Sequence, residues 1–320
     1  IRRPPRSSLD RSSAASDVYK RQTGAGKTNL AIKTYDYLPI EIISVDSVMI
    51  YKKCDIGSAK PSKEILKQYP HHLVDVESLN NIFSVADFLN LSKALIKELH
   101  DKNKIPFFVG GSMMYFRSLF YGIHDLPGRD LEYRKELNEI KQNNSTSYLY
   151  KMLEGIDPNY AVDIDHNDEI RIIRALEIYK NSGKKLSEIF SNNPTNGIKE
   201  KYEVIQFGIK TDREILHERI KARLHEMIDK GLIEETENIL NDFNISEGHP
   251  IRKAVNYKQS IEYINGKYPK DIFFDKALYA TRQLAKRQVT WMKSWDDYIN
   301  VDIKDIKTFT NKVKNSLSSL

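Results

Sequence analysis

The feature that most constrains the fold is a partial phosphate-binding loop, Thr23-Gly24-Ala25-Gly26-Lys27-Thr28. A complete P-loop has a glycine, four further residues and then Gly-Lys-Ser/Thr. The end of this pattern is present, but Arg21 stands where the first glycine is expected. In such loops, backbone N–H groups and the lysine bind phosphate oxygens at a helix N-terminus, and the Thr hydroxyl can ligate Mg²⁺. The sequence therefore predicts a phosphate or diphosphate site, with a chance Gly-Lys-Thr as the alternative.

Short apolar strands alternate with helical segments after this loop. Residues 41–46 and 105–109 are apolar runs of the length that buried strands have. Residues 27–38 carry apolar side chains at helical spacing, and Ser84 with Asp87 resembles the N-cap pair of a further helix. This alternation predicts an α/β fold, with a P-loop NTPase-like core built on a parallel sheet and crossover helices.

The pattern changes in the middle of the chain. Residues 125–197 show helices and polar loops without a strand signal, whereas residues 202–209 are typical of a strand that returns to the sheet. Helical patterns follow at 213–230 and 273–295. We therefore predict an α/β core formed by residues 23–124 and 201–320, interrupted by a helical insertion at 125–200.

Residues 1–22 form a leader rich in Arg, Ser and Pro. It could be a transit peptide, a disordered tail, or a non-native string, since it resembles translated adapter or cloning sequence. We favour the third interpretation because of the segment 17–22. A P-loop needs a buried strand directly before it, and this segment looks too polar to be that strand. A transit peptide would precede the strand rather than replace it.

Charge gives a local rather than a global signal for a polyanionic partner. The leader contributes +4 of the formal net charge of +6, so the sequence pI of about 9.0 says little about the rest of the chain. Residues 276–295, by contrast, carry five basic residues, no acidic residue and two tryptophans. Such a helix can bind a phosphate backbone and stack a base. The alternative is an amphipathic helix whose tryptophans belong to the core.

Composition excludes several other classes of protein. The chain is 40% hydrophobic and 29% charged, and no apolar run approaches the roughly 18 residues that a membrane span needs. Cys54 is the only cysteine, which excludes an intramolecular disulfide and indicates a reducing compartment. The eight histidines lack the spacing of a zinc site. We expect a monomeric cytoplasmic protein that does not bind membranes.

Three further positions carry candidate chemistry. Asp46 ends an apolar strand, so it could be a general base or metal ligand near the phosphates, or an ordinary turn-capping Asp. Gly110-Gly111-Ser112 ends the next strand, and its glycines permit close backbone approach while Ser112 brings a hydroxyl. A simple tight turn is equally compatible. Because ligands bind beyond the carboxyl ends of parallel strands, these residues and the P-loop should converge at one sheet edge.

Several motifs in order from Thr23 to about Trp295 resemble the tRNA dimethylallyltransferases, also called tRNA isopentenyltransferases. The segments that carry this resemblance are 46–51 (DSVMIY), 55–61 (DIGSAKP), 70–75 (PHHLVD), 83–88 (FSVADF), 110–115 (GGSMMY), 166–168 (HND), 174–177 (RALE) and 281–288 (TRQLAKRQ). The resemblance implies transfer of a dimethylallyl group from dimethylallyl diphosphate to the exocyclic amine of an adenosine. That adenosine lies directly 3′ of the anticodon, in tRNAs reading codons that begin with U.

The resemblance also assigns roles to residues. Asp46 would accept the amine proton, and Ser112, where the family has Thr, would keep the hydroxyl. The diphosphate would be bound by Mg²⁺, with Thr28 as its protein ligand, and by Thr23, Gly24, Ala25, Gly26, Lys27, Thr28 and Arg223. The anticodon stem-loop of tRNA would contact the insertion and the core through Asp46, Ser47, Val48, Met49, Ser112, Arg134, Arg171, Arg174, Arg252, Tyr257, Lys258, Lys286, Arg287, Gln288 and Lys293.

The chain departs from the family pattern at a few positions. These are Arg21 for Gly, Gln22 for a common Pro, Met49 for a frequent Gln, and Asn256 for a usual Gly. The family's first strand is expected to be absent. Two other functions therefore stay open from the sequence. One is a P-loop kinase acting on a nucleotide or small metabolite, which would need a nucleoside triphosphate, and the other is a tRNA-binding protein whose broken loop leaves it inactive.

Overall fold

A computed structural model of the chain describes residues 17–20, 27–144, 146–192, 196–209, 211–295, 298–301 and 306–318. Its strands form a six-stranded sheet with the order β3-β2-β4-β1-β5-β6, in which neighbouring strands are parallel. The strands are β1 (Asp17–Lys20), β2 (Ile40–Val45), β3 (His71–His72), β4 (Ile105–Gly110), β5 (Gln206–Ile209) and β6 (Ile299–Val301). The predicted α/β fold with a parallel sheet is confirmed.

Helices provide the connections between these strands. They are α1 (Lys27–Tyr35), α2 (Lys63–Gln68), α3 (Val85–Asp101), α4 (Met113–Tyr121), α5 (Leu131–Asn144), α6 (Thr146–Ile156), α7 (Pro158–Val162), α8 (Glu169–Ser182), α9 (Leu186–Asn192), α10 (Arg213–Asp229), α11 (Leu232–Asp242), α12 (Tyr257–Ile264), α13 (Lys270–Lys293) and α14 (Ile306–Ser318). The predicted start of α3 is confirmed, because Ser84 and Asp87 form a reciprocal capping box.

The strand β1 corrects the expectation that the chain lacks the family's first strand. Asp17–Lys20 lies between β4 and β5 and pairs with both, with Lys20 opposite Gly110 and Gly208. The expectation that this segment is too polar for a strand is therefore wrong. A central strand is held by backbone N–H and C=O groups on both sides, which any sequence other than proline supplies, and these groups on β4 and β5 need partners. Residues 1–16 and 21–26, with most of the P-loop, lie outside the described residues.

The sheet is buried because β2 and β4 are rich in apolar residues, as expected for parallel strands covered by helices, although β2 also contains Glu41 and Ser44. Ile42, Phe107 and Phe207 on three strands have no exposed surface. They belong to one apolar cluster with Leu30 of α1 and Phe309 of α14. This cluster fixes the strand ends that position the candidate site.

The chain divides into two compact units, Ile1–Phe120 with Ile198–Leu320 and Tyr121–Gly197. We call them the α/β unit and the helical unit. The sequence-based prediction had placed the division at residues 125 and 200. The helical unit has its own core, which includes Leu137 of α5, Leu149 of α6 and Leu176 of α8.

No helix in the described part of the chain has the length and apolar character needed to cross a membrane.

Candidate functional site

Three strand ends lie together at one edge of the sheet. Val45 is the register partner of Gly110, and Gly110 is the partner of Lys20. Asp46 and Gly111 therefore leave the sheet at the edge where β1 also ends. This is the edge where ligands bind in parallel α/β sheets. The predicted convergence of Asp46 with Gly110-Gly111-Ser112 is confirmed, whereas most of the P-loop lies outside the described residues.

Gly110 is required where β4 meets β2. A Cβ at this position would lie 2.0 Å from the carbonyl oxygen of Val45, far inside van der Waals contact. The next two residues then turn onto the same carbonyl, because Gly111 N and Ser112 N each donate to Val45 O at 3.1 Å. The glycine therefore allows the chain after β4 to fold across the end of β2, next to Asp46.

Asp46 caps its own turn with one oxygen. Its Oδ1 accepts hydrogen bonds from Val48 N at 2.9 Å and Met49 N at 3.2 Å, as in an Asx-turn. Among the described residues, Oδ2 has no hydrogen-bond partner, and the side chain is half-buried. The turn-capping and general-base interpretations are therefore compatible: one oxygen orients the carboxylate and the other remains available to accept a proton.

Ser112 links this turn to its neighbour. Its Oγ accepts a hydrogen bond from Ser47 N at 3.0 Å and lies 3.3 Å from Ser47 Oγ. The adjacent Gly111 O accepts a hydrogen bond of 2.9 Å from Gln288 Nε2 of α13. Segments from three distant parts of the sequence therefore meet around Asp46, and the Ser112 hydroxyl fixes the residue that follows the carboxylate.

Arg223 lies in a cavity of about 350 Å³ in the α/β unit. The opposite wall is the loop of residues 55–63, together with Asp75. Arg223 is exposed and forms no ion pair with any described residue. Neighbouring atoms still remove enough water to lower the pKa of its guanidinium, an effect that Glu226 partly offsets. An unpaired cation in such a cavity suits an anionic ligand.

Comparison with known proteins decides the family. A family model described as IPP transferase matches residues 49–295, more than half of the chain. The chain belongs to the IPP transferase family. The tRNA dimethylallyltransferase of Acinetobacter baumannii (strain ACICU) is 38% identical over 292 residues, covering 90% of this chain and 91% of the relative. That of Francisella tularensis subsp. novicida is 38% identical over 279 residues, covering 87% and 90%.

Solved structures agree with this assignment. The full-length tRNA isopentenylpyrophosphate transferase of Bacillus halodurans has a TM-score of 0.68 and 30% identity, covering 95% of this chain and 97% of that one. A eukaryotic dimethylallyltransferase, described as acting on tRNA, has a TM-score of 0.76 at 23% identity, covering 96% and 79%, and supports the fold alone. The resemblance seen in the sequence motifs is confirmed.

In this IPP transferase, the exposed face of α13 carries uncompensated positive charge. Lys286, Arg287 and Lys293 are exposed and form no ion pair with a described residue. Trp295 instead belongs to the interior, since it is 6% exposed and its Nε1 donates to Gln206 Oε1 at 2.8 Å. The basic helix therefore offers its lysine and arginine side chains to a polyanion, while this tryptophan supports the helix from below.

Two residues implied to contact tRNA are buried in this structure. Tyr257 has no exposed surface, and its hydroxyl donates to Glu235 Oε1 at 2.7 Å. Gln288 is 4% exposed and contacts Gly111, as described above. Burial of these two side chains differs from the expectation that they contact tRNA directly. Each lies on the buried side of its helix, next to an exposed basic residue, Lys258 or Arg287. Lys258, next to Tyr257, is exposed, and Arg252 donates to backbone carbonyls in the preceding loop.

In the helical unit, Arg134 and Arg174 both bind Glu177. Arg134 donates through Nε and Nη2 at 2.6 and 2.8 Å, and Arg174 donates through Nη1. Burial alone would raise the pKa of Glu177, but these hydrogen bonds and one from Asp130 N lower it to about 2. The two arginines, expected to contact tRNA, are thus committed to an internal ion pair. Arg171 is exposed, 3.3 Å from Asp168.

Among the described residues, Thr28 could ligate Mg²⁺ together with a bound substrate. No group of three or more His, Cys, Asp or Glu side chains in the described residues could hold a metal ion. Thr28, the second residue of α1, is half-buried at the helix start. A hydroxyl with diphosphate oxygens and water is a donor set that Mg²⁺ accepts, because this ion commonly uses few protein ligands. Mg²⁺ bound through Thr28 remains a prediction.

The sequence motifs did not reveal Glu235. Its carboxylate contacts the backbone of residues 55–57, at a separation of up to 180 positions along the chain. The segment 55–61 was recognised only as a family motif, and no local pattern indicates which distant side chain supports it.

Proposed function

We propose that this enzyme transfers the dimethylallyl group of dimethylallyl diphosphate to the exocyclic amine of the adenosine directly 3′ of the anticodon. Its substrates would be tRNAs that read codons beginning with U, and diphosphate would be released. Membership of the IPP transferase family supports this reaction class. The observation that carries the proposal is the position of Asp46, whose free oxygen lies at the sheet edge where β1, the strand that precedes the P-loop in the sequence, ends.

The chemistry requires a proton acceptor and a stabilised leaving group. The amine of adenosine is a weak nucleophile because its lone pair is delocalised into the purine ring. As the amine nitrogen bonds to the first carbon of the dimethylallyl group, the carbon–oxygen bond to diphosphate breaks and its electron pair leaves with the diphosphate. Asp46 Oδ2 takes the proton that the amine loses. Arg223 and the backbone N–H groups of the P-loop would stabilise the growing charge on the diphosphate.

Mg²⁺, held by Thr28 and the diphosphate oxygens, would neutralise further negative charge on the leaving group. The Ser112 hydroxyl has a positioning role, since it holds Ser47 directly after the catalytic carboxylate. The target base must leave its stack to reach this edge of the sheet. Lys286, Arg287 and Lys293 of α13 would then hold the phosphate backbone of the anticodon stem-loop, with Arg171 of the helical unit as a further contact.

A labelling experiment separates this reaction from a kinase reaction. We expect an anticodon stem-loop RNA to gain the mass of one dimethylallyl group when it is incubated with the protein, Mg²⁺ and dimethylallyl diphosphate. RNA in which the target adenosine is replaced by guanosine is the matched control and should gain nothing. Label that reaches the RNA only from ATP would contradict the proposal and favour a P-loop kinase.

Lys286→Ala is expected to weaken tRNA binding and to flatten its salt dependence. Each lost phosphate contact should reduce the slope of log K against log salt by about 0.7 to 0.9, because fewer counterions are released. Binding is measured by fluorescence anisotropy over a series of salt concentrations. Lys102→Ala is the control, since Lys102 is exposed on another helix end and is paired with Glu98 at 2.6 Å. An unchanged slope in Lys286→Ala would return α13 to a purely structural role.

A further inference from the structure

The Glu235 side chain on α11 binds backbone N–H groups of the loop of residues 55–60 in the α/β unit. Its Oε2 accepts hydrogen bonds from Asp55 N at 3.0 Å and Ile56 N at 2.7 Å, and its Oε1 accepts one from Gly57 N at 3.0 Å. The Tyr257 hydroxyl donates to the same Oε1 at 2.7 Å. A carboxylate with four donors is strongly oriented, because hydrogen bonds to an ionised acceptor are stronger than neutral ones.

This loop is held by contacts from outside as well as by its own hydrogen bonds, from Ala59 N to Ile56 O and from Lys60 N to Asp55 O, both at 2.9 Å. A Cβ on Gly57 would lie 2.6 Å from Cζ of the buried Tyr257 ring, so the backbone passes directly against that side chain. Ala59 has a φ of +57°, in the left-handed region that costs free energy in a residue other than glycine. Asn256, with a φ of +73°, adds a hydrogen bond of 3.0 Å from its Nδ2 to Gly57 O. Contacts from α11 and the start of α12 therefore help to hold the conformation of this loop.

The other side of the loop lines the cavity that contains Arg223. Asp55, Ile56, Ala59 and Lys60 face it from the loop, and Arg223 with Glu226 faces it from α10. The position of the loop thus sets the distance between the two walls of the cavity.

Most charged side chains that line this cavity are paired with one another, whereas Arg223 and the exposed Lys63 form no ion pair with a described residue. Lys60 Nζ is bound by Asp55 at 2.7 Å and by Asp75 at 2.5 Å, and Lys230 is bound by Glu226 at 2.6 Å. Lysines and acids of the lining are thus largely committed to each other, whereas Arg223 is left without an ion pair among the described residues. A ligand with a compact negative charge, such as diphosphate, matches that arrangement.

The same wall is attached to the turn that carries Asp46. Met49, whose backbone N–H binds Asp46, accepts a hydrogen bond of 3.1 Å from Asp75 N through its carbonyl. The Lys60 ammonium donates to Tyr51 O at 3.0 Å. Two residues that line the cavity, Lys60 and Asp75, are therefore hydrogen-bonded to the segment 46–51 that carries Asp46.

We propose that Glu235 is a positioning residue for the diphosphate end of the prenyl donor. By holding the backbone N–H groups of residues 55–57, it fixes the cavity wall that faces Arg223 and so sets the shape of the anion site. Glu235 itself contacts the loop and not the ligand. This inference rests on the proposed function, because it takes the anion to be the diphosphate of the donor.

The test is Glu235→Gln, with Glu234→Gln as its matched control. Glu234 is the exposed neighbour on the same helix, so the change of charge is equal but no loop is released. Because the substitution replaces one carboxylate oxygen with an NH₂ group, which cannot accept a hydrogen bond, the loop loses part of its support. We expect about tenfold increases in the KM for dimethylallyl diphosphate and in the Kd for inorganic diphosphate, the scale of a small misplacement in a binding site. The KM for anticodon stem-loop RNA should stay unchanged in both variants.

Tyr257→Phe provides a second, milder variant. It removes one hydrogen bond to Glu235 and keeps the ring against Gly57, so it should shift the diphosphate Kd in the same direction by about threefold. If Glu235→Gln does not fold, the diphosphate Kd of Tyr257→Phe still tests whether Glu235 positions the loop.

Two results would overturn the inference: an unchanged diphosphate Kd in the variants, or equal rises of the donor and RNA KM values, as a general loss of folded protein produces. Failure of the proposed function looks different, since the unaltered protein would then bind diphosphate without modifying RNA.

Discussion

Asp46→Ala is expected to lower kcat by about 10²-fold or more, the scale associated with losing a general base, while tRNA binding survives. The reason lies in the division of work between the two oxygens of Asp46. Oδ1 accepts two backbone N–H groups, and Oδ2 is without a hydrogen-bond partner among the described residues. Single-turnover transfer to an anticodon stem-loop RNA, with tRNA affinity measured separately, checks this expectation.

Asp46→Asn separates the two roles of this side chain. Its amide oxygen can still accept from Val48 N and Met49 N, so the turn is preserved, but the amide cannot take a proton at neutral pH. We expect Asp46→Asn to be about as slow as Asp46→Ala. Substantial turnover in the Asn variant would mean that the carboxylate only caps the turn, and full turnover in the Ala variant would remove Asp46 from catalysis.

Glu177→Gln is expected to destabilise the helical unit by about 2 to 3 kcal/mol, somewhat less than a fully buried ion pair because both arginines are partly exposed. The Glu177 side chain has no exposed surface and joins Arg134, Arg174 and the backbone of Asp130. Arg174 also donates to Pro127 O at 2.6 Å, so the loss extends into the segment before α5. Urea unfolding at neutral pH measures the change in free energy of unfolding.

The stabilising effect of Glu177 should depend on pH and weaken in acid. Because the folded state lowers the pKa of Glu177 from 4.5 to about 2, its contribution to stability is complete above pH 4.5 and is lost as the pH falls towards 2. The difference in unfolding free energy between the unaltered protein and Glu177→Gln should therefore narrow below pH 4.5. Glu136→Gln is the control, since Glu136 is exposed and lies 3.8 Å from Lys180. A difference that is independent of pH would contradict the assignment.

The sequence was sufficient to predict the elements with a strong periodic or apolar signal. Short segments rich in apolar residues identified β2 and β4, and the residues that follow them, Asp46 and Gly111-Ser112, meet as expected at the sheet edge. This works because parallel strands bring their carboxyl ends together whatever the side chains are. The pattern at 276–295 likewise predicted the basic helix α13, although its tryptophan at 295 supports the interior.

Other parts of the site depend on long-range contacts that leave no local pattern. Glu177 forms ion pairs with Arg134 and Arg174, the two arginines for which the resemblance implied tRNA contacts. Only the folded structure shows that they are already paired. Glu235 supports a loop far away in the sequence. Tyr257 lies next to the exposed Lys258, and the family resemblance implied a tRNA contact for both residues. The strand β1 was not predicted because its side chains are polar. Its place in the sheet depends instead on backbone hydrogen bonds with β4 and β5, which the side chains do not reveal.

The central place of Asp17–Lys20 in the sheet has a practical consequence for work with this protein. Whatever the origin of the first 22 residues, the four in β1 join the half-sheet β3-β2-β4 to the half-sheet β5-β6. An expression boundary drawn at Thr23, which the sequence by itself would recommend, would delete the middle of the sheet rather than a dispensable tail. A replacement N-terminus should therefore supply a strand of at least this length immediately ahead of the loop.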